Sequence, residues 1–224
     1  MAIYTIGYSG YSPTKLVQKL HELNITVLVD VRSVPFSAHF PQYNKDQLEA
    51  LLKKENILYR NYAAEFGARQ AQPEFCTDGQ VDFIKFSASP VFRSGIRKIL
   101  SGMDLGYTFV LMCAEKDPII CHRSILVARA FHQMVQEVIH LTPEGEEPHT
   151  HLEQRLLDLY FLERDQLSLL DTQTSDKDLL AQAYQLQNRE IGYRLTLPVP
   201  EGGGFLVRPP QPSPERSFAV SPSV

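Results

Sequence analysis

Two segments without any helical period constrain this chain most. Residues 26–31 (TVLVDV) and 107–113 (YTFVLMC) are almost continuously apolar and rich in β-branched or aromatic side chains. A strand with one wet face would alternate between apolar and polar residues; an unbroken apolar run suits a strand covered on both faces, as in a parallel sheet between helices. The flanking sequence supplies those helices. A short apolar run at residues 3–6 ends at Gly7, and Ser12-Pro13 then offers an N-cap and a proline at the first helical position. Leu16, Val17, Leu20 and Leu23 follow at helical spacing. Asn44 can cap a helix bearing Leu48, Leu51 and Leu52, and residues 57–62 read as a third strand. Ser89-Pro90 opens another helix, with Val91, Ile96, Ile99 and Leu100 inside it. After the strand at 107–113, a loop closing at Pro118 leads to a helix over 124–133 and a strand at 138–141.

The expected fold is therefore α/β: a mainly parallel sheet flanked by helices, a Rossmann-like or flavodoxin-like three-layer arrangement with a helical C-terminal extension over 151–164 and 176–190. Right-handed crossovers would gather the strand-to-helix loops on one edge of the sheet. Residues 63–80 contain Gly67, Pro73 and Gly79 without a period and read as a long loop or lid. Residues 1–195 are expected to form a single domain, and 196–224, rich in Pro, Gly and Ser, a flexible tail.

Composition removes several function classes. A formal charge of −4 and a pI near 6.0 do not provide the broad cationic surface that duplex DNA requires. Nucleic acid is allowed only through a local basic pocket. No apolar run approaches the roughly 20 residues that span a bilayer, and the start, MAIYTIGYSG, lacks the pattern of a secretory signal. Three cysteines are too few for a disulfide framework. The expected setting is cytoplasmic, without a membrane partner, and the oligomeric state is not readable.

Three strand ends concentrate polar groups. In the first, Tyr8, Ser9, Gly10 and Tyr11 precede a helix whose free N–H groups can meet an anion. In the second, Asp30 and Arg32 lie two residues apart, on one face if the strand persists, with Ser33 next. The third is the most informative: Glu115 at a strand end can serve as acid or base, and Arg123 near a helix start can hold a phosphate. Cys121 beside His122 can become nucleophilic there, whereas Cys113 finishes an apolar strand and reads as a core residue. Catalytic candidates are thus Asp30, Glu115, Cys121 and His122. Tyr8, Ser9, Gly10, Tyr11, Arg32, Ser33, Arg69 and Arg123 are candidates for binding substrate or anion. Cys113, Cys121, His122 and His149 or His151 offer metal-type ligands, but paired CxxC spacing is missing and neighbouring Cys-His residues rarely share an ion. No metal and no cofactor is predicted.

The blocks TIGYSG (5–10), LVDVRSVPFS (28–37), PQYN (41–44), FGAR (66–69) and CAEKDPIICHR (113–123) resemble the signature blocks of the uncharacterised family "domain of unknown function 488" over about residues 1–160. The resemblance implies a compact α/β domain and no established activity. Its characteristic positions fall on Gly7, Ser9, Asp30, Arg32, Pro35, Glu115, Cys121, His122 and Arg123. Ala38 stands where members often have Arg, and Ala68 where Gly is usual. The function expected first is an enzyme acting on an anionic, nucleotide- or nucleic-acid-derived substrate at the carboxyl ends of the strands. A non-catalytic module binding a nucleotide or phosphorylated metabolite, and thiol chemistry at Cys121, are the alternatives.

Overall fold

A computed structural model describes residues 2–162 and 175–195. Its main sheet has six strands: β1 (Ala2–Gly7), β2 (Val27–Asp30), β3 (Leu58–Asn61), β6 (Phe109–Cys113), β7 (Glu137–Thr142) and β8 (Gly145–Pro148). They lie in the order β3-β2-β6-β1-β7-β8, all parallel except β8, which pairs antiparallel with β7. A separate hairpin joins β4 (Cys76–Thr77) to β5 (Gln80–Val81). The two most apolar segments of the sequence are the adjacent strands β2 and β6, buried along their whole length.

Alternation within those strands builds two cores. Leu28, Val110 and Met112 face one side, where α1 (Pro13–Glu22) contributes Leu16 and Leu20, and α2 (Lys45–Lys54) contributes Leu48 and Leu52. Val27, Val29, Phe109, Leu111 and Cys113 face the other. That side is covered by α4 (Phe83–Ser87), α5 (Pro90–Asp104), a π-helical segment (Arg123–Ala128) running into α6 (Arg129–His132), α7 (His149–Tyr160) and α8 (Asp176–Ile191). The molecule is a three-layer α/β fold with a helical C-terminal part.

The expected loop at 63–80 holds short ordered elements: α3 (Ala63–Phe66), a 3-10 turn (Pro73–Phe75) and the small hairpin. Phe66 anchors it, packing edge-on against Phe92 and Phe131. The helix expected over 151–164 occupies His149–Tyr160; residues 163 and 164 and the tail 196–224 lie outside the described residues. Ser12 and Ser89 cap α1 and α5 through their side chains. Asn44 stands at the start of α2, but its side-chain oxygen accepts from the Ser37 amide at 2.6 Å and so ties down the preceding loop. Among the described residues no helix is long and apolar enough to cross a membrane.

The helix after β2 packs on one face of the sheet and the helical segment after β6 on the other. These strands are neighbours, so their connections part and leave a crevice beyond their carboxyl ends, where ligands bind in open α/β sheets.

Candidate functional site

That crevice has a volume of about 420 Å³, within the range that holds small-molecule ligands, and its lining comes from five stretches of the chain. Tyr8 follows β1; Arg32, Ser33, Val34 and Phe36 follow β2; Cys113, Ala114 and Glu115 end β6; His122 and Ile120 follow. Arg69 comes from the loop after α3, and Ile191 and Tyr193 from the end of α8. Val34, Phe36 and Ile120 are more than half exposed and form an apolar rim. The floor is polar.

Asp30 and Arg32 form the most constrained part of that floor. Asp30 is fully buried and Arg32 is 5% exposed. Arg32 donates from Nε to Asp30 Oδ1 at 2.9 Å and from Nη2 to Oδ2 at 2.6 Å, a bidentate ion pair, with Nη2 also reaching the Tyr43 carbonyl at 2.8 Å. Tyr59 donates its hydroxyl to Asp30 at 2.8 Å. Burial opposes the charge on Arg32, but Asp30 outweighs it and holds the guanidinium pKa above its ordinary value. One nitrogen stands apart: Arg32 Nη1 is buried without a hydrogen-bond partner.

The second half of the floor is a cluster of sulfur, imidazole and carboxyl. Cys121 Sγ and Glu115 Oε2 lie 2.8 Å apart, and Cys113 Sγ is 3.7 Å from His122 Nδ1. His122 Nε2 donates to the Val31 carbonyl at 2.9 Å; burial opposes a charge on this imidazole, but the Cys121 sulfur outweighs it and raises the His122 pKa. Burial pushes the Glu115 carboxyl up, reinforced by the Cys121 sulfur. Burial also raises the Cys113 thiol. At Cys121 burial is outweighed by the hydrogen bond from Cys113, the Arg123 charge and His122, so that thiol is lowered.

Arg123 holds this cluster from behind. Fully buried, it donates to the carbonyls of Glu115 at 2.6 Å and Lys116 at 3.2 Å. Gly7 makes the arrangement possible, because a β-carbon there would collide with the Glu115 carbonyl oxygen.

Of the residues singled out in the sequence, the crevice gathers Tyr8, Arg32, Ser33, Arg69, Glu115 and His122. Asp30, Cys121 and Arg123 lie directly behind its wall. Ser33 Oγ accepts from the Arg69 amide at 2.8 Å and so places that exposed arginine. Tyr8 offers no free ring face: it stacks on Tyr43 at 4.6 Å and lies 5.1 Å under the Arg32 guanidinium. Ser9, Gly10 and Tyr11 are not on the crevice wall. The Ser9 amide donates to the Ala114 carbonyl, Gly10 abuts Pro143, and the Tyr11 carbonyl accepts from Tyr43.

Tyr193, Phe36, Val34 and Ile120 also belong to the site, and sequence reasoning missed them. Tyr193 lies under Arg69 at 5.5 Å and is held by the Val81 amide donating to its carbonyl, a pairing with no local signal. The neighbours Cys121 and His122, of a kind that rarely shares an ion, bring their ligand atoms within 4.8 Å of one another and of Cys113. The backbone is extended at Cys121 (φ −123°, ψ 135°) and helical at His122 (φ −61°, ψ −24°), which turns both side chains the same way.

A family model described as "Domain of unknown function DUF488" matches residues 12–130, more than half of the chain. The match spans Asp30, Arg32, Arg69, Cys113, Glu115, Cys121, His122 and Arg123, and ends before Tyr193. No curated protein and no solved structure matches.

Proposed function

The chain belongs to the DUF488 family, and from the crevice it carries we propose that it is an enzyme acting on an anionic, nucleotide- or nucleic-acid-derived substrate. One observation carries the reading. Arg32 Nη1 is a buried donor without a partner on a residue that lines the crevice. A buried donor left unsatisfied costs about 1–3 kcal/mol, more when charged, and an anionic oxygen in the crevice removes that cost.

The rest of the wall suits such a ligand. Arg69 is exposed at the rim and adds a second positive charge, while Val34, Phe36, Ile120 and Tyr193 give apolar and aromatic surface for a flat ring. Phosphate on Arg32 and Arg69 with a base against that rim is the pose these groups favour. Glu115, on the same wall, is the group placed to give or take a proton from the bound molecule. Cys121 itself is 1% exposed and off the wall, so thiol attack on a substrate is not favoured.

The test has two stages. Thermal-shift measurement against inorganic phosphate, nucleoside monophosphates and diphosphates, and short single-stranded oligonucleotides should show stabilisation by members of this set, weakened in Arg69→Ala and Phe36→Ala. Prolonged incubation with the stabilising compound, followed by mass spectrometry, should then show a product that Glu115→Gln forms about 100-fold or more slowly. Binding without chemical change would make the chain a sensor instead, and no stabilisation by any of these anions would remove the reading.

A further inference from the structure

We infer that Cys113, Cys121 and His122 form a binding site for a thiophilic divalent cation, zinc foremost, in the wall of the crevice. The inference goes beyond the anion site and does not depend on it.

The ligand atoms of these residues, two sulfurs and one nitrogen, all lie within 4.8 Å of one another, with Cys113 Sγ and His122 Nδ1 at 3.7 Å. Tetrahedral zinc, with bonds of about 2.3 Å to sulfur and 2.0–2.1 Å to nitrogen, separates its ligand atoms by about 3.5–3.8 Å. The cluster therefore needs a contraction of at most about 1.3 Å along any edge to close on an ion. His122 is already oriented for it. Its Nε2–H is committed to the Val31 carbonyl, the outer contact that fixes a metal-binding imidazole and aims the other nitrogen inward. The change of backbone from extended to helical between Cys121 and His122 lets two adjacent residues serve one centre.

Charge and access point the same way. A dication with two thiolates is neutral, so the centre can be buried without leaving a net charge in the core. Three protein ligands leave one of four positions open, the pattern of zinc sites that take water or substrate. Cys113, His122 and Glu115 line the crevice, so the open position faces it. Glu115, with Oε2 at 2.8 Å from Cys121 Sγ, stands beside that position. Sulfur and imidazole ligands select zinc over magnesium or calcium.

The experiment uses the full chain, expressed with zinc in the medium and purified without a chelating column. Elemental analysis should find about one zinc per chain. Cys113→Ser and Cys121→Ser should lose it, and Cys76→Ser, away from the cluster, should keep it. Because a cysteine variant can fail to fold, the wild-type chain stripped by chelator is also titrated with Co²⁺. Stoichiometric thiolate-to-cobalt charge-transfer absorption and the visible bands of a tetrahedral ion are expected, displaced by added Zn²⁺. A folded wild-type chain that purifies without metal and gives no such absorption overturns the inference. A Cys113–Cys121 disulfide found in chain purified under reducing conditions does so as well. Uptake of phosphate without metal would end this inference and leave the anion site standing; metal without anion binding would do the reverse.

Discussion

Two polar clusters are built into the same sheet and differ in how completely their hydrogen bonds are used. One is the crevice floor around Arg32 and Cys121. The other runs through the core behind it, from Arg123 to Glu153. Arg123 Nε donates to Thr5 Oγ1 at 3.4 Å, Thr5 Oγ1 lies 2.8 Å from His140 Nδ1, and His140 Nε2 lies 2.9 Å from His149 Nδ1. His149 Nε2 then meets the Tyr184 hydroxyl at 2.9 Å, which donates to Glu153 at 3.0 Å. A guanidinium can only donate and a carboxylate can only accept. The two ends therefore dictate every proton between them: Thr5 donates to His140, His140 to His149 and His149 to Tyr184. The crevice floor has a buried guanidinium nitrogen without a hydrogen-bond partner and two sulfurs crowded against an imidazole. Buried polar groups that satisfy one another hold the fold together, and an unpaired buried donor on a crevice residue calls for a partner.

The contrast can be broken by substitution. His149→Ala removes the acceptor of one buried group and the donor of another and leaves a cavity, so stability should fall by about 3–5 kcal/mol in urea denaturation. A loss under about 1 kcal/mol would mean that the line is not a structural unit. Asp30→Asn strips the buried Arg32 of its counter-charge and should cost about 3 kcal/mol, read in the same way. It separates the supporting pair from the groups that merely line the crevice.

Acid sharpens the comparison further. Burial holds His140 well below its ordinary value and His149 at about 3, with His132, Arg129 and Arg123 adding repulsion to one or the other. Both imidazoles are neutral in the folded chain, whereas the unfolded chain protonates them near 6.5. The unfolded state binds more protons below that pH, so stability falls as pH drops from about 6.5 toward 3. Between pH 7 and 5.5 each imidazole should withdraw about 1.2 kcal/mol. His149→Gln, which keeps an acceptor and a donor but does not titrate, should show a shallower dependence; an unchanged slope would exclude His149 as its source. The smallest expected effect on stability is at the rim. Arg69→Ala, an exposed residue, should change stability by less than about 0.5 kcal/mol while weakening anion binding about tenfold. Equal affinity in the variant would remove Arg69 from the site.

The sequence makes the centre of this fold legible and its edges illegible, for physical reasons. TVLVDV and YTFVLMC contain the doubly covered strands β2 and β6, and Ser-Pro pairs mark the starts of α1 and α5. β8 is a charged edge strand, GEEP, defined only by its partner β7. The short elements in 63–80 exist through remote contacts: Phe66 with Phe92, and Gln80 Nε2 with the carbonyls of Arg189 and Gly192 at the end of α8. Within the site, spacing by two correctly brought Asp30 and Arg32 to the same side. Proximity in sequence said nothing about direction elsewhere. Arg123, a candidate for phosphate, spends its donors on carbonyl oxygens and the Thr5 hydroxyl, whereas Cys113, assigned to the core, does lie in it, where it also backs the crevice. Tyr59, Tyr43 and Tyr193 join through tertiary contacts that no local pattern announces.

Calorimetric titration of the folded chain with inorganic phosphate and adenosine 5′-monophosphate is the most direct trial of the unpaired donor on Arg32. Saturable uptake at one site per chain is expected, preserved in His149→Gln and lost in Arg32→Lys, whose single ammonium cannot both hold Asp30 and reach the ligand. A folded wild-type chain that takes up neither compound, or an Arg32→Lys chain that binds as tightly as wild type, would contradict the account.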